Sequence, residues 1–303
     1  MAAPVITRSA HPAALWPGVK AWFGQTYDEL PTEWDKIFTR ETSDKAYEEV
    51  VEATGFGLAP VKPEAASIQY DTDSQGYKSR FTHLVYALGY IVTREALEDN
   101  QYEQLSRRRS RALAFSMRQT TEIVHANILN RGFSSSYLGG DGVALFSASH
   151  PTLGGLQSNL LTAADLSEAS LEDAMKVIAQ TRNARGLNVA SRANKLIVST
   201  GDMFNAERIV NSNLRPGTAN NDINAMKAMG MLPGGVVVNH YLTDLDAWFL
   251  QTDIQEGLMS FWRRNVELEK DNDFDTENAK AKASMRFSAG WADWRSVYGN
   301  PGV

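Results

Sequence analysis

Between Ala279 and Trp291, apolar and polar residues alternate without a break. Ala279, Ala281, Ala283, Met285, Phe287, Ala289 and Trp291 take one set of positions; Lys280, Lys282, Ser284, Arg286, Ser288 and Gly290 take the other. A strand points successive side chains to opposite faces, so this period predicts a long strand with one buried face. At about 3.3 Å per residue it spans roughly 40 Å.

A second long element has a different period. From Thr93 to Arg131, Leu105, Leu113, Met117, Val124 and Ile128 fall on one helical face, and Arg107, Arg108, Arg111, Arg118 and Glu122 fall opposite. That spacing predicts an amphipathic helix that starts near Thr93-Arg94-Glu95-Ala96 and stops at Gly132. At 1.5 Å per residue it is on the order of 50 Å long. Its apolar positions keep no strict heptad, which favours a beam over a coiled coil. A helix and a strand of similar length predict one elongated lobe in which they run side by side.

The rest of the chain is less regular. Residues 1–45 are interrupted by Pro4, Pro12, Pro17 and Pro31 and dotted with Trp16, Trp22, Phe23 and Trp34, the pattern of an arm with no core of its own. Such an arm packs on its own domain or on a neighbouring subunit. Residues 46–92 predict a long hairpin: a first limb broken by Pro60 and Pro63, a turn at Asp71-Thr72-Asp73-Ser74-Gln75-Gly76, and a strand from Tyr77 to Val92. Residues 132–165 are rich in Gly and Ser and predict a long loop with one short strand near Val143–Phe146. Residues 166–264 predict a mixed α+β lobe. It has a helix over Ser170–Arg185 ended by Gly186, strands at Leu196–Val198, Val236–Val238 and Trp248–Leu250, and a helix capped by Asp202 running to about Ser212. Asn211–Asn224 is a polar loop.

Composition narrows the chemistry. Hydrophobic residues make 43% and charged residues 22% of the chain, values of a folded protein rather than a disordered one. Cysteine is absent, which removes disulfides, thiolate metal sites and cysteine nucleophiles. The N-terminus lacks a secretory signal, and the longest apolar run, Leu84–Val92, is far short of the roughly 20 residues a membrane span needs. The formal charge of −6 does not call for nucleic-acid binding, which rests on neutralising many phosphates.

Searches for reactive constellations return little. No Gly-Lys dipeptide exists for a phosphate loop, and neither Gly55-Phe56-Gly57 nor Gly140-Asp141-Gly142 completes a dinucleotide fingerprint. Gly132-Phe133-Ser134-Ser135-Ser136 lacks the second glycine of a nucleophile elbow. Ser147, Ser149, His150 and Asp141 supply the residue types of a hydrolase triad close together in sequence. Asp271, Asp273, Asp275 and Glu277 alternate, but Thr276 and Lys282 stand where a calcium-binding loop needs glycine and an acid, so a solvated acidic turn is expected. His11, His83, His125, His150 and His240 show no metal spacing, and neither a metal nor a cofactor is expected. Arg107, Arg108, Arg109 and Arg111 form the basic run, open to intramolecular pairing, to an acidic surface of a neighbour or, last, to packaged DNA.

Arm, long hairpin, long helix, mixed lobe and returning long strand together resemble the α+β HK97-like fold of tailed-bacteriophage major capsid proteins. Two phrases sharpen the resemblance towards the Mu-like major head subunit group: Ala144-Leu145-Phe146-Ser147-Ala148-Ser149-His150-Pro151 with Gly154-Gly155 and Ser158-Asn159, and Asp275-Thr276-Glu277-Asn278 running to Gly290-Trp291-Ala292-Asp293-Trp294-Arg295. The resemblance implies an N-terminal arm (1–45), an extended loop (46–92) that lies over an adjacent subunit, and a peripheral domain (93–165 and 265–303) with its spine helix. It also implies an axial domain (166–264) that meets its copies around five-fold and six-fold positions.

By the same resemblance the protein is a structural component of the virion, assembled in the host cytoplasm into pentamers and hexamers. They enclose double-stranded DNA without specific binding, with portal, scaffold and cement proteins as partners. No scaffolding segment precedes the arm, so a separate scaffold is expected. Some relatives cross-link Lys to Asn, which draws attention to Lys62 and Lys78 on the hairpin; with Arg107, Arg108 and Arg111 these are the candidate inter-subunit contacts. An encapsulin-like nanocompartment shell and a soluble serine hydrolase using Ser147 or Ser149 with His150 are the alternatives.

Overall fold

The computed structural model describes residues 19–93, 95, 102–214, 222–272 and 278–303. Pro4, Pro12, Trp16 and Pro17 of the expected arm, and Asp273, Asp275, Thr276 and Glu277 of the expected acidic turn, lie outside the described residues. In chain order come α1 (Val19–Glu29), a 3-10 turn (Trp34–Lys36), β1 (Thr39–Thr42), β2 (Tyr47–Ala53), β3 (Gln75–Thr82), β4 (Leu84–Val92) and α2 (Tyr102–Asn130). Then follow β5 (His150–Thr152), β6 (Gly155–Gln157), α3 (Glu168–Ala179), β7 (Ala193–Val198), α4 (Met203–Asn211), α5 (Ala225–Ala228) and β8 (Val236–Val238). The chain closes with β9 (Trp248–Thr252), β10 (Leu258–Asn272), β11 (Ala279–Trp291) and β12 (Val297–Asn300). The chain divides into two compact units, 1–32 with 83–123 and 262–288, and 33–82 with 124–261 and 289–303.

In the first unit β10, β11 and β4 lie side by side in that order. β11 is the strand its alternation predicts, and it pairs antiparallel with β4 from Ala279↔Val92 to Phe287↔Leu84 without a register shift. Its apolar positions from Ala279 to Phe287 are all buried. Phe287 stacks between Tyr86 and Trp262, at ring separations of 5.0 and 4.7 Å. α2 covers this face, with Thr121 Oγ1 3.5 Å from Met285 Sδ, as the side-by-side expectation required. Its predicted polar face, however, is not solvent-exposed throughout. Arg118 and Glu122 are 9% and 1% exposed. Arg118 donates to the Tyr27 carbonyl at 2.6 Å, and its guanidinium lies 3.8 Å over the Tyr27 ring. Helix α1 therefore covers a stripe that helical periodicity assigns to water, which is how a guanidinium stem becomes packing surface.

The second unit is built on the sheet β12-β9-β7-β8. β7 pairs parallel with β8 and antiparallel with β9. One face of this sheet joins α3 and α4 in a core that includes Leu171, Ile178, Leu196, Val198, Ile209, Trp248 and Leu250. Ser167 caps α3 with a full capping box. The helix ends at Gln180, short of the expected Gly186. The unit also holds the hairpin β2–β3, paired from Tyr47↔Thr82 to Ala53↔Gln75, and the small hairpin β5–β6.

Four expectations are corrected. The predicted strand Tyr77–Val92 breaks at His83, so only β3 belongs to the hairpin while β4 pairs with β11. Within 19–45 the chain forms α1, a 3-10 turn whose Trp34 is 4% exposed and β1, more regular structure than the sequence predicts there. Val143–Phe146 is not a strand; Ala144 makes one isolated bridge to Leu138. β10, fifteen residues long, has no counterpart in the sequence reading.

Candidate assembly surfaces

The hairpin β2–β3 ends in an irregular tip over residues 54–74. Its root is tightly bonded. Asp73 accepts hydrogen bonds from the Gly55 N–H at 2.8 Å and the Thr54 hydroxyl at 3.0 Å. Asp71 accepts from the N–H groups of Gly57 and Thr72, each at 2.8 Å. Arg185 donates to both oxygens of Asp71, at 3.0 and 3.3 Å, and to the carbonyl of Thr72. The donated N–H bonds from Gly57 and Thr72 hold the Asp71 carboxyl below its ordinary value of 3.8, with help from Arg185. Asp73 is lowered in the same way, chiefly by the Thr54 hydroxyl.

Beyond this root the tip carries large apolar side chains into solvent. Val61 is 93% and Tyr70 94% exposed, and Phe56, Leu58 and Ile68 exceed 60%. They surround a hollow of about 680 Å³ lined by the tip's own residues, among them Pro60, Pro63 and Ile68. Large apolar side chains gathered in solvent on one loop are the kind of surface that marks protein contacts.

The five candidate contact residues are scattered, and no cluster unites them. Lys62 is exposed on the tip. Lys78 lies on β3, where its ammonium pairs with Glu49 at 3.1 Å. Arg107, Arg108 and Arg111 are exposed on α2, with Arg107 5.9 Å over the Trp22 ring. Arg109, beside them, donates to the Ile91 carbonyl at 2.9 Å.

The serine, histidine and aspartate of the hydrolase reading do come together, but not as a triad. His150 is fully buried. Its Nδ1 lies 2.5 Å from Asp141 Oδ2 and its Nε2 lies 3.0 Å from Asn159 Oδ1. The Asn159 amide cannot be reversed. Its Nδ2 already donates to the carbonyls of Leu145, Trp294 and Val297 at 2.7, 3.1 and 3.0 Å, and Oδ1 accepts the Ser147 N–H at 3.0 Å. Nε2 of His150 is therefore a donor, turned to an amide rather than to a serine. Ser147 Oγ instead lies 3.4 Å from Ser149 Oγ. A general base needs a free ring nitrogen within reach of the nucleophile, and here both are occupied.

His150 and Asn159 of the first phrase and Trp294 and Arg295 of the second thus meet in one buried lock. The Trp294 ring lies parallel to His150 at 4.1 Å. Arg295 follows it, with Nη1 2.8 Å from Glu52 and 3.2 Å from Asp293, and its Nε donating to the Arg182 carbonyl. Burial pushes the Glu52 carboxyl above its ordinary value, outweighing the pull of Arg295. Two glycines admit the aromatic filling. A Cβ on Gly132 or Gly299 would stand 2.5 or 2.7 Å from the Phe146 ring. Gly132, expected only as a helix stop, is needed for this close approach. Among the described residues no group of three metal-ligating side chains forms, and no helix is long and apolar enough to cross a membrane.

Comparison with known proteins follows the same line. The profile of a family described as phage capsid protein matches residues 76–300. No curated protein matches the chain's sequence. Solved structures resemble it at low identity. The capsid of the native GTA particle shares 10% identity at a TM-score of 0.57, covering 89% of this chain and 90% of that one. Mycobacterium phage Che8 shares 14% at 0.53, over 90% and 96%. A virus-like particle from Pyrococcus furiosus shares 11% at 0.52, over 94% and 99%.

Proposed function

The chain belongs to the phage capsid protein family, and from that premise we propose how its copies hold together. It is a structural major capsid protein that forms an icosahedral shell of the virion. Copies gather as pentamers and hexamers around packaged double-stranded DNA, which the shell encloses without specific binding. Portal, scaffold and cement proteins complete the particle, which assembles in the host cytoplasm.

In this reading residues 46–92 include the extended loop, laid over an adjacent subunit. Residues 166–264 form the axial domain, residues 93–165 and 265–303 the peripheral domain, and residues 1–45 an arm. Lys62 and Lys78 and the exposed Arg107, Arg108 and Arg111 contribute polar contacts at the rims. The observation that carries the reading is the tip 54–74, bonded firmly at its root while Val61 and Tyr70 stand more than 90% exposed. One such contact is modest; repeated around a closed shell, it becomes effectively irreversible.

Negative-stain electron microscopy of the purified protein, over a range of salt and protein concentration and with a candidate scaffold added, tests this. Closed shells, tubes or sheets of pentamers and hexamers are expected. Small discrete particles under every condition would overturn it.

A further inference from the structure

Two features of the molecule are incomplete in the same way. β4 ends its sheet, so among the described residues its outer edge has no strand partner. Its sequence, Leu84-Val85-Tyr86-Ala87-Leu88-Gly89-Tyr90-Ile91-Val92, contains no charge and no proline, and its pairing with β11 contains no bulge. Leu84, Val85, Leu88 and Ile91 are 49–58% exposed. Charges, prolines and bulges are the devices by which soluble proteins protect a sheet edge, and a long apolar edge without them is a template for another strand.

The second feature lies on the tip of the β2–β3 hairpin. Ala66-Ser67-Ile68-Gln69-Tyr70 alternates apolar and polar residues with period two, yet it joins no sheet and every residue in it is exposed. That alternation belongs to a strand with one face covered. Five residues is an ordinary strand length, about 17 Å, and fits within the nine residues of β4. Charge agrees as well. Glu64 stands just before the segment, while β11, next to β4, carries Lys280, Lys282 and Arg286.

We propose that Ala66–Tyr70 of one copy adds as a further strand to the β4 edge of a second copy. The inference rests on the assembly reading above and specifies its contact: backbone hydrogen bonds along β4 give the grip, and Ile68 and Tyr70 cover the half-exposed side chains of one face of β4, either Leu84 and Leu88 or Val85 and Ile91. Strand addition of this kind takes its affinity from the main chain and its register from alternate side chains.

The chain has no cysteine, so any disulfide in an engineered variant joins introduced cysteines, and the single Ile68→Cys variant shows whether like positions of two copies bond. Ile68→Cys is combined in turn with Val85→Cys and with Leu88→Cys, and assembled particles are oxidised and run on a non-reducing gel. The proposal expects a ladder of covalent oligomers for at least one pair. It expects none when Ile68→Cys is combined with Phe204→Cys, on α4. Intact shells by electron microscopy with no ladder for either β4 pair would overturn the strand addition while leaving the assembly reading in place; failure of the wild type to assemble at all would remove both. As a second measurement, Leu88→Lys is expected to keep the wild-type circular dichroism and thermal transition and to lose at least ten-fold in shell yield. A Leu88→Lys protein that forms shells as the wild type does would overturn the proposal.

Discussion

Residues 54–74 and 139–159 are stretches of the same length in the same compact unit, the first irregular and the second irregular apart from the short hairpin β5–β6, and they differ in what they bury. In the second, Leu145, Phe146, His150 and Asn159 are at most 3% exposed. In the first, Val61 and Tyr70 are almost wholly in water. The difference lies in where the backbone polar groups go. Buried irregular chain is tolerated only when each carbonyl and N–H finds a partner. Asn159 provides this at the centre of 139–159, where its side chain accepts the Ser147 N–H and donates to the Leu145 carbonyl, and it ties the stretch to the carbonyls of Trp294 and Val297. Residues 54–74 have such side-chain bonds at the root, and beyond it a single turn bond from the Ala66 N–H to the Pro63 carbonyl is described, so the tip stays out. Residues 139–159 close around His150 and Asn159, whereas residues 54–74 leave Val61 and Tyr70 in water.

The sharpest way to break this contrast is to remove the amide. Asn159→Ala takes the side-chain partner from the Leu145 and Val297 carbonyls, the Ser147 N–H and the His150 Nε2, while the Trp294 carbonyl keeps the Val297 N–H. At about 1–3 kcal/mol for an unsatisfied buried group, and with partial relaxation, the loss is expected near 3–5 kcal/mol. Denaturant unfolding measures it. A loss below about 1 kcal/mol would mean that water replaces the amide and that the lock is not what closes this stretch.

A smaller effect on stability, with a large one on assembly, is expected at the other stretch. Val61→Ser with Tyr70→Ser changes side chains that touch little within the subunit, so unfolding free energy shifts by about 0.5 kcal/mol or less. Shell yield, counted by electron microscopy against wild type at equal concentration, falls at least ten-fold. A variant that assembles normally would show that the exposed tip is not a contact.

Legibility in the sequence follows from how local each signal is. β11 is readable because its sequence alternates with period two throughout and its apolar positions from Ala279 to Phe287 share one buried face, although beyond Phe287 the buried positions are Ser288 and Gly290. β10 is not, since Trp262-Arg263-Arg264 and Glu267-Leu268-Glu269-Lys270-Asp271 mix charges into a strand whose partner, not its own pattern, holds it in the sheet. Periodicity places Arg118 of α2 in water because it cannot know that Tyr27 of α1 returns over it. The phrases around His150 and Trp294 stand out in the sequence, but their meaning needs the fold, which brings Asn159 against carbonyls more than 130 residues away. The exposed tip is the reverse case: its prolines and turn residues show a hairpin tip, while only exposure shows that Val61 and Tyr70 have no place inside the subunit.

Acid separates the two stretches most gently. Asp71 and Asp73 both have carboxyls held below the ordinary 3.8, so the stabilisation they give the root is present above that value and is lost as pH falls through their lowered values in the folded protein. Both are solvent-exposed, so the effect on global stability is small, and a local probe is needed. The Gly55 and Gly57 N–H groups donate to these two carboxylates. Their hydrogen-exchange protection, corrected for the intrinsic pH dependence of exchange, is expected to fall below pH 3.8. The Ser147 N–H, bonded to the uncharged Asn159 amide, keeps its protection over the same range as long as the fold persists. In Asp71→Asn with Asp73→Asn the Gly55 and Gly57 response should be flat, because an amide accepts without titrating. Protection at Gly55 and Gly57 that holds steady through this window in the wild type would place the root's strength in the hairpin strands rather than in its carboxylates.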